Sequence, residues 1–357
     1  MGIVGANKMG VTRRDFLKGT VIAGLGLGAG ATIDALLSSC TSVREEIRPE
    51  VENPQYDSNP IIPMIPGKIY TGTNSRMQID VQQDWWLKTY GTTMTFHKPA
   101  WGALDAMNDM FPKEECQRDI QYGAIPVVNW ALLPFDGFKP IAKGKLDDTV
   151  KRFAHQLAEF GHPLVLLPFE QPNEPYSRWK PWCCQPGSEY LDAWVHLWEL
   201  CDAEGANKKT LWTTKLKFGR WPKFSFDDPF RYLPPRQHMD IIGWQFNNLN
   251  EPRIGLDSQS LRTMFSSYYN EAQRKYPTLP QAFWEFSSNQ DPWQVKYLDD
   301  ALTDVENRFP MVKVVMLDEI DIRRDDFAFI ARLSPQSVNA VAKHFRNGKY
   351  IGSIIKN

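Results

Sequence analysis

The sequence predicts a single (β/α)8 TIM barrel, preceded by an export signal and a short disordered tether. Three observations predict it. Short apolar, strand-like runs alternate with helix-like runs from residue 67 to the C-terminus, the pattern of a parallel sheet wrapped in helices. Polar residues crowd just past the C-terminal ends of those runs, where barrel enzymes keep their chemistry. No Gly-rich turn follows the first strand in the dinucleotide-binding pattern, which removes support for a doubly wound sheet.

Residues 1–40 come first. Thr12-Arg-Arg-Asp-Phe-Leu-Lys18 precedes Gly19 to Leu37, a mildly apolar segment. A twin Arg in that position reads as a Tat-type signal, which implies the Tat translocase as a partner during export. Glycines and Asp34 make the segment a poor helix and a poor membrane span. Leu37-Ser-Ser-Cys40 resembles a bacterial lipobox, with Cys40 as the acylated first residue of the mature protein. Residues 41–66 are polar and Pro-bearing without periodicity, suited to an extended linker between lipid and domain. The expected location is the cell envelope, anchored to a membrane by lipid. Cys116, Cys183, Cys184 and Cys201 match no metal spacing and read as structural thiols or one disulfide.

Residues 67–357 form the predicted catalytic domain. Lys68–Gly72 is its first strand, and a helix over 78–90 stops at Gly91. Thr92–Phe96 and Ala124–Trp130 give the second and third strands. Asp147 to Phe160 is an amphipathic helix with Val150, Phe153, Leu157 and Phe160 on one face. The fourth strand lies in Pro163-Leu-Val-Leu-Leu-Pro-Phe-Glu-Gln-Pro-Asn-Glu-Pro-Tyr-Ser-Arg-Trp179. Its apolar run is short and bounded by prolines, which favours a strand buried on both faces. A helix over 190–200 leads to strands at Thr210–Thr214 and Asp240–Trp244. A helix over 261–275 precedes the seventh strand, Ala282–Trp284; the eighth is Val312–Leu317, and a helix over 337–345 closes the chain.

A formal net charge of −1 gives no reason to expect nucleic acid or an anionic membrane surface as a partner. The 13 Trp carry more information, because indole rings stack on the apolar faces of sugars as readily as they pack in cores. Trp101, Trp130, Trp179, Trp244 and Trp284 lie in or beside the strand ends. The fourth strand ends in Glu170, Gln171, Asn173 and Glu174, the sixth in Gln245, and the seventh in Glu285 between Trp284 and Phe286. Strands four and seven of an eight-stranded barrel lie nearly opposite, so their carboxylates can converge over its mouth. Paired carboxylates about 5–5.5 Å apart perform retaining glycoside hydrolysis, one as nucleophile and one as acid/base. Asp318, Glu319 and Asp321 sit in a charge run that reads as a solvated or ion-paired loop. No His-Glu-x-x-His, P-loop or Gly-x-Ser-x-Gly pattern occurs, so neither a catalytic metal nor a cofactor is expected.

At these residues the chain resembles glycoside hydrolase clan A, and most of all family 26, the β-mannanase and β-glucanase family. Phe96 to Trp101, Gly123 to Trp130 and Met239-Asp-Ile-Ile-Gly-Trp-Gln-Phe-Asn-Asn248 are similar to the family's second, third and sixth strands. Pro280 to Phe286 resembles the nucleophile strand, with Glu285 in the nucleophile position, and Pro163 to Trp179 the acid/base strand. The resemblance implies a barrel, a polysaccharide substrate and a retaining mechanism. One departure stands out: the family's acid/base strand ends in His-Glu, and here those places hold Glu170 and Gln171. The acid/base is therefore expected at Glu174, within Asn173-Glu-Pro, ahead of Glu170. Gln171, Asn173 and Gln245 are expected to bond sugar hydroxyls, and Trp101, Trp130, Trp179, Trp244 and Trp284 to line the sugar-binding subsites. The competing expectation, raised by Gln171, is a glycan-binding lipoprotein that has lost catalysis.

Overall fold

Parallel strands alternate with helices and close into a (β/α)8 barrel. The structure, a computed structural model, describes residues 61–75, 78–99, 105–107, 110–132, 137–174, 187–218, 226–248, 259–289, 293–318, 321–324, 327–330 and 333–354. The twin-Arg segment, Cys40, residues 41–60, Trp101, Trp179, Cys183 and Cys184 lie outside these residues.

The staves of the barrel are β1 (Ile69–Ser75), β2 (Phe96–Pro99), β4 (Ile125–Ala131) with the short β3 (Asp105–Met107) paired to its end, β5 (Leu164–Pro168), a broken stave made of β6 (Thr210–Trp212) and β7 (Leu216–Lys217), β8 (Ile242–Asn248), β9 (Gln281–Ser288) and β10 (Val312–Asp318). Hydrogen bonds join them in the order β6-β5-β4-β2-β1-β10-β9-β8-β7. The ring therefore closes through the broken stave, whose first half pairs with β5 and whose second half pairs with β8. A bridge between Thr213 and Ile241 completes the closure. β11 (Asp321–Arg324) and β12 (Phe327–Ile330) form a separate hairpin, and β13 (Tyr350–Ile351) adds to the start of β1.

Eight helices of the described residues surround the sheet: α1 (Ile79–Tyr90), α2 (Lys113–Gln121), α3 (Lys139–Ala142), α4 (Asp147–Phe160), α5 (Gly187–Ala203), α6 (Leu261–Lys275), α7 (Gln294–Arg308) and α8 (Pro335–Phe345). Their ends follow local chemistry. Gly91 and Gly161 terminate α1 and α4 in the left-handed conformation, with φ of 71° and 67°. Ser260 and Ser334 cap α6 and α8 by accepting from the amides of Thr263 and Ser337.

Alternation along each strand divides the apolar residues into two cores. Tyr70, Phe96, Val127, Leu167, Trp284 and Met316 fill the barrel interior, while Val128, Leu166, Trp244, Phe283 and Val315 face the helices. The second strand begins at Phe96, four residues later than expected. α2 and α7 were not anticipated; α2 is mostly polar, with buried Cys116 and Ile120 one turn apart on its inner face. The end of the expected linker also belongs to the domain. Ile62 is fully buried against the barrel interior, and the Tyr70 hydroxyl donates to the Pro63 carbonyl. Cys116 and Cys201 are buried free thiols.

Candidate active site

The interior parity that stacks Tyr70, Phe96 and Val127 continues upward and changes chemistry at the mouth. Two residues on from the last apolar layer stand Asn74 on β1, Lys98 on β2, Asn129 on β4 and Asp318 on β10, with Lys215 in the break between β6 and β7 and Gln245 on β8. All are buried. Glu285 and Glu170 join this layer by two different departures from regular strand geometry.

β9 carries a bulge. Gln245 on β8 pairs with Glu285 while Trp244 pairs with Phe283, so Trp284 is an extra residue on that side. The same slip occurs toward β10, where Val315 meets Phe283 and Leu317 meets Phe286. Two residues of a bulged strand then oppose one on each neighbour. Trp284 keeps its inward place in the interior core, and Glu285 is turned to the mouth rather than to the helices. The indole of Trp284 donates to Thr213 Oγ1 at 2.8 Å.

Glu170 is placed by a turn. Phe169 and Gln171 have φ of 56° and 57°, positive values rare for residues with side chains. Each is tied down: the Phe169 amide donates to the Trp130 carbonyl and the Gln171 amide to the Lys215 carbonyl. Between these anchors Glu170 is directed over the mouth, where Asn129 Nδ2 donates to its Oε2 at 3.2 Å. Strained backbone held by its surroundings is typical of functional positions.

Lys215 links the two acids. Its fully buried ammonium donates to Oε1 of both Glu170 and Glu285. Lys98 Nζ stands 3.4 Å from Glu285 Oε1 and 3.8 Å from Glu170 Oε1. Asn74 Nδ2 lies 3.2 Å from Glu285 Oε1 and 3.1 Å from Asp318 Oδ1. Two oxygens bonded to one ammonium stand no more than about 6 Å apart, twice a hydrogen-bond length. Burial, and then the Glu285 carboxylate, push the Asp318 carboxyl well above the usual carboxylate range, favouring its neutral form. The centre thus gathers three acids, Glu170, Glu285 and Asp318, around two lysines, Lys98 and Lys215. Asp318 is not part of a solvated loop, as its charge run suggested.

A second ion pair lies farther out on the same wall, where Lys217 Nζ meets Glu174 Oε1 at 2.9 Å. The structure brings Glu170, not Glu174, together with Glu285. Asn173 is also not arranged for a sugar: its Nδ2 donates to the carbonyls of Lys217 and Asp227, and its Oδ1 accepts from the Lys217 amide. Gln171 and Gln245 are joined side chain to side chain at the mouth.

Three of the expected stacking residues belong to the cores. Trp130 is 1 % exposed and stacks on Phe153 of α4, centroids 4.1 Å apart. Trp244 faces outward and donates to Gln281 Oε1, and Trp284 is buried inside the barrel. Both faces of a barrel strand are dry, so an aromatic at a strand end packs inward or outward before it reaches solvent. Sequence reasoning missed Asn74, Lys98, Asn129, Lys215 and Lys217. A parity count from the apolar positions, 125 and 127 leading to 129, was the signal available for Asn129.

Neither protein-family models nor curated proteins give a match to this sequence. Solved structures do. A mannanase from Bacillus subtilis aligns over 82% of this chain and 89% of its own, with 14% identity and a TM-score of 0.57. A family 26 β-mannanase from Bacteroides ovatus aligns over 80% and 91%, at 13% identity and a TM-score of 0.56. A β-mannanase from a symbiotic protist of the termite Reticulitermes speratus, complexed with gluco-manno-oligosaccharide, aligns over 85% and 99%, at 12% identity and a TM-score of 0.54. The chain shares the clan A glycoside hydrolase fold of family 26.

Proposed function

We propose that this domain is a retaining glycoside hydrolase acting on a β-linked polysaccharide, of β-mannan or β-glucan type or a bacterial exopolysaccharide, with Glu285 as nucleophile and Glu170 as general acid/base. The observation that carries it is the sharing of one ammonium by two carboxylates from the fourth and seventh staves, whose bonded oxygens are thereby no more than about 6 Å apart, a limit compatible with a retaining pair. Fold likeness to mannanases supports the substrate class.

The reaction has two displacements. Protonated Glu170 gives its proton to the glycosidic oxygen as the C1–O bond breaks and Glu285 Oε bonds to C1. Water then attacks C1, Glu170 takes its proton, and Glu285 leaves as a carboxylate. Asn74 and Lys98 orient the Glu285 oxygen, and Lys215 moves off it when the sugar enters. Asn129 holds the second oxygen of Glu170. Glu170 replaces Glu174 as the acid because the paired positive-φ residues aim it, and Lys217 engages Glu174 elsewhere.

One observation favours the second reading, a glycan-binding protein without turnover: Lys215 occupies the gap that a reacting sugar would enter. Reducing-sugar release from a panel of mannans and glucans separates the two. Glu285→Ala should abolish turnover, by a factor of about 10⁴ or more. Glu170→Ala should lose natural substrates but retain aryl glycosides whose leaving group needs no proton. Undiminished release by Glu285→Ala refutes the assignment, and binding without release by the wild type supports the second reading. Tat export and lipid anchoring at Cys40 belong to the same proposal; Cys40→Ala should move the protein from the membrane to the soluble envelope fraction, and an unchanged membrane fraction refutes the anchor.

A further inference from the structure

We propose that Asp318 is a positioning residue for the nucleophile: it fixes the Asn74 amide and, through that amide, the rotation of the Glu285 carboxylate about its terminal bond. This deepens the hydrolase reading and rests on it.

Attack needs one carboxylate oxygen aimed at C1, and the terminal torsion of a glutamate is broad, so its surroundings must set the aim. Three described donors meet Glu285, all at Oε1: Asn74 Nδ2 at 3.2 Å, Lys98 Nζ at 3.4 Å and Lys215 Nζ. An oxygen whose lone pairs are engaged in this way is a poor nucleophile. Oε1 is therefore the pinned oxygen, and Oε2 the one that bonds to C1. Two of the three pins sit on flexible four-carbon stems. Asn74 is short, buried, and carried on a strand paired on both sides. Its own last torsion is nevertheless as soft as that of the glutamate.

Asp318 supplies the restraint. Asn74 and Asp318 are register partners on β1 and β10, so their side chains leave the sheet side by side. Asn74 Nδ2 divides its two hydrogens between Glu285 Oε1 and Asp318 Oδ1, the latter at 3.1 Å. Turned over, the amide would set its carbonyl oxygen against both acids, so the second acceptor raises the cost of losing the bond to the nucleophile. Oδ1 accepts whether or not the other oxygen of Asp318 carries a proton, so the restraint does not depend on the charge of this acid. Among the described residues it is the one side-chain hydrogen bond that Asp318 makes. A buried acid costs free energy that packing at a strand end does not require; its contribution here is the fixed amide.

The test is steady-state kinetics of the whole domain on the mannan or glucan that the wild type cleaves best, with thermal unfolding of each variant beside it. Asp318→Leu and Asp318→Ala, which remove the acceptor, should lower kcat by about tenfold or more while KM stays within about threefold. Asp318→Asn keeps an acceptor oxygen without the charge and should recover kcat to within about threefold of the wild type. Adding Asp318→Leu to Asn74→Ala should lower kcat no further than Asn74→Ala alone, because the effect passes through that amide. Asp318→Asn as slow as Asp318→Leu overturns the inference, since the role is then charge toward Lys98 and Lys215, which act on this acid. A change in KM alone, an unchanged kcat in Asp318→Leu, or a further loss in the double variant overturns it as well. Recovery of both Asp318→Leu and Asp318→Ala only as unfolded protein also counts against it, marking a residue that holds the fold instead. A wild type that cleaves nothing on the panel is a failure of the hydrolase reading, and the inference falls with it.

Discussion

Removing the ammonium of Lys215 tests the electrostatic architecture directly. Lys215 is fully buried and bonded to two carboxylates, of which Glu285 is also buried. Deleting one partner of a buried ion pair costs about 3–5 kcal/mol, mostly because the remaining charge is stranded. Native domains are stable by only about 5–15 kcal/mol, so Lys215→Met should consume about a fifth or more of the total. At about 2 °C per kcal/mol for a domain of this size, the melting temperature should fall by about 6–10 °C. A second substitution separates charge from shape. Lys215→Met combined with Glu285→Gln strands no carboxylate at position 285 and should recover part of the loss, as a double-mutant cycle would reveal. The measurement is thermal unfolding of Lys215→Met, Glu285→Gln and the double variant beside the wild type. A drop below about 2 °C in Lys215→Met, or no recovery in the double variant, would show that the cluster is not held by charge in a dry environment.

Other perturbations probe the surrounding frame. Trp130→Ala should lower stability by about 3–5 kcal/mol in chemical denaturation while leaving saccharide affinity of the folded protein unchanged, as expected of a core residue; weakened binding with unchanged stability would restore it to the cleft. A Cβ on Gly243 would sit 1.8 Å from the Thr214 carbonyl oxygen and 2.4 Å from the Trp284 ring. Gly243→Ala should therefore cost about 3 kcal/mol or more, read as lost soluble yield or a lowered midpoint. His344 on α8 is held between Glu306 at 2.6 Å and Asp299 at 2.9 Å. Burial depresses its pKa, but the hydrogen bonds and charges of those acids outweigh it and leave it raised. A raised histidine stabilises fully below its unfolded value near 6.5 and loses that contribution as pH rises through the folded value. Urea unfolding from about pH 6 to about pH 8 should show a decline in the wild type that His344→Gln lacks.

Much of the frame is readable without coordinates because helix faces announce themselves. The predicted limits of α4 and α6 coincide with the observed ones, their apolar residues recurring at helical spacing and glycine or serine marking an end. Strand tips proved harder. Hydrophobicity does not distinguish the inside of a barrel from its helix-facing side, since both are dry, and Trp130, Trp244 and Trp284 were misjudged for that reason. Glu285 was readable because an acid between two aromatics closes an apolar run. Lys98 and Lys215 were not: a lysine beside a short strand ordinarily reaches solvent, and only the closure of the ring turns these inward. The choice between Glu170 and Glu174 depended on backbone angles at Phe169 and Gln171, which no side-chain pattern encodes.

The surplus residue in β9 makes the aim of Glu285 a matter of counting. Its strand neighbours set the frame, and one added or lost position between Gln281 and Trp284 rotates the acid into the helix layer without altering the acid itself. Chain length along this short segment is therefore under tighter constraint than side-chain identity. A single-residue deletion there should disarm the domain as fully as replacing the carboxylate, while a similar deletion elsewhere on the barrel's outer surface leaves its chemistry in place.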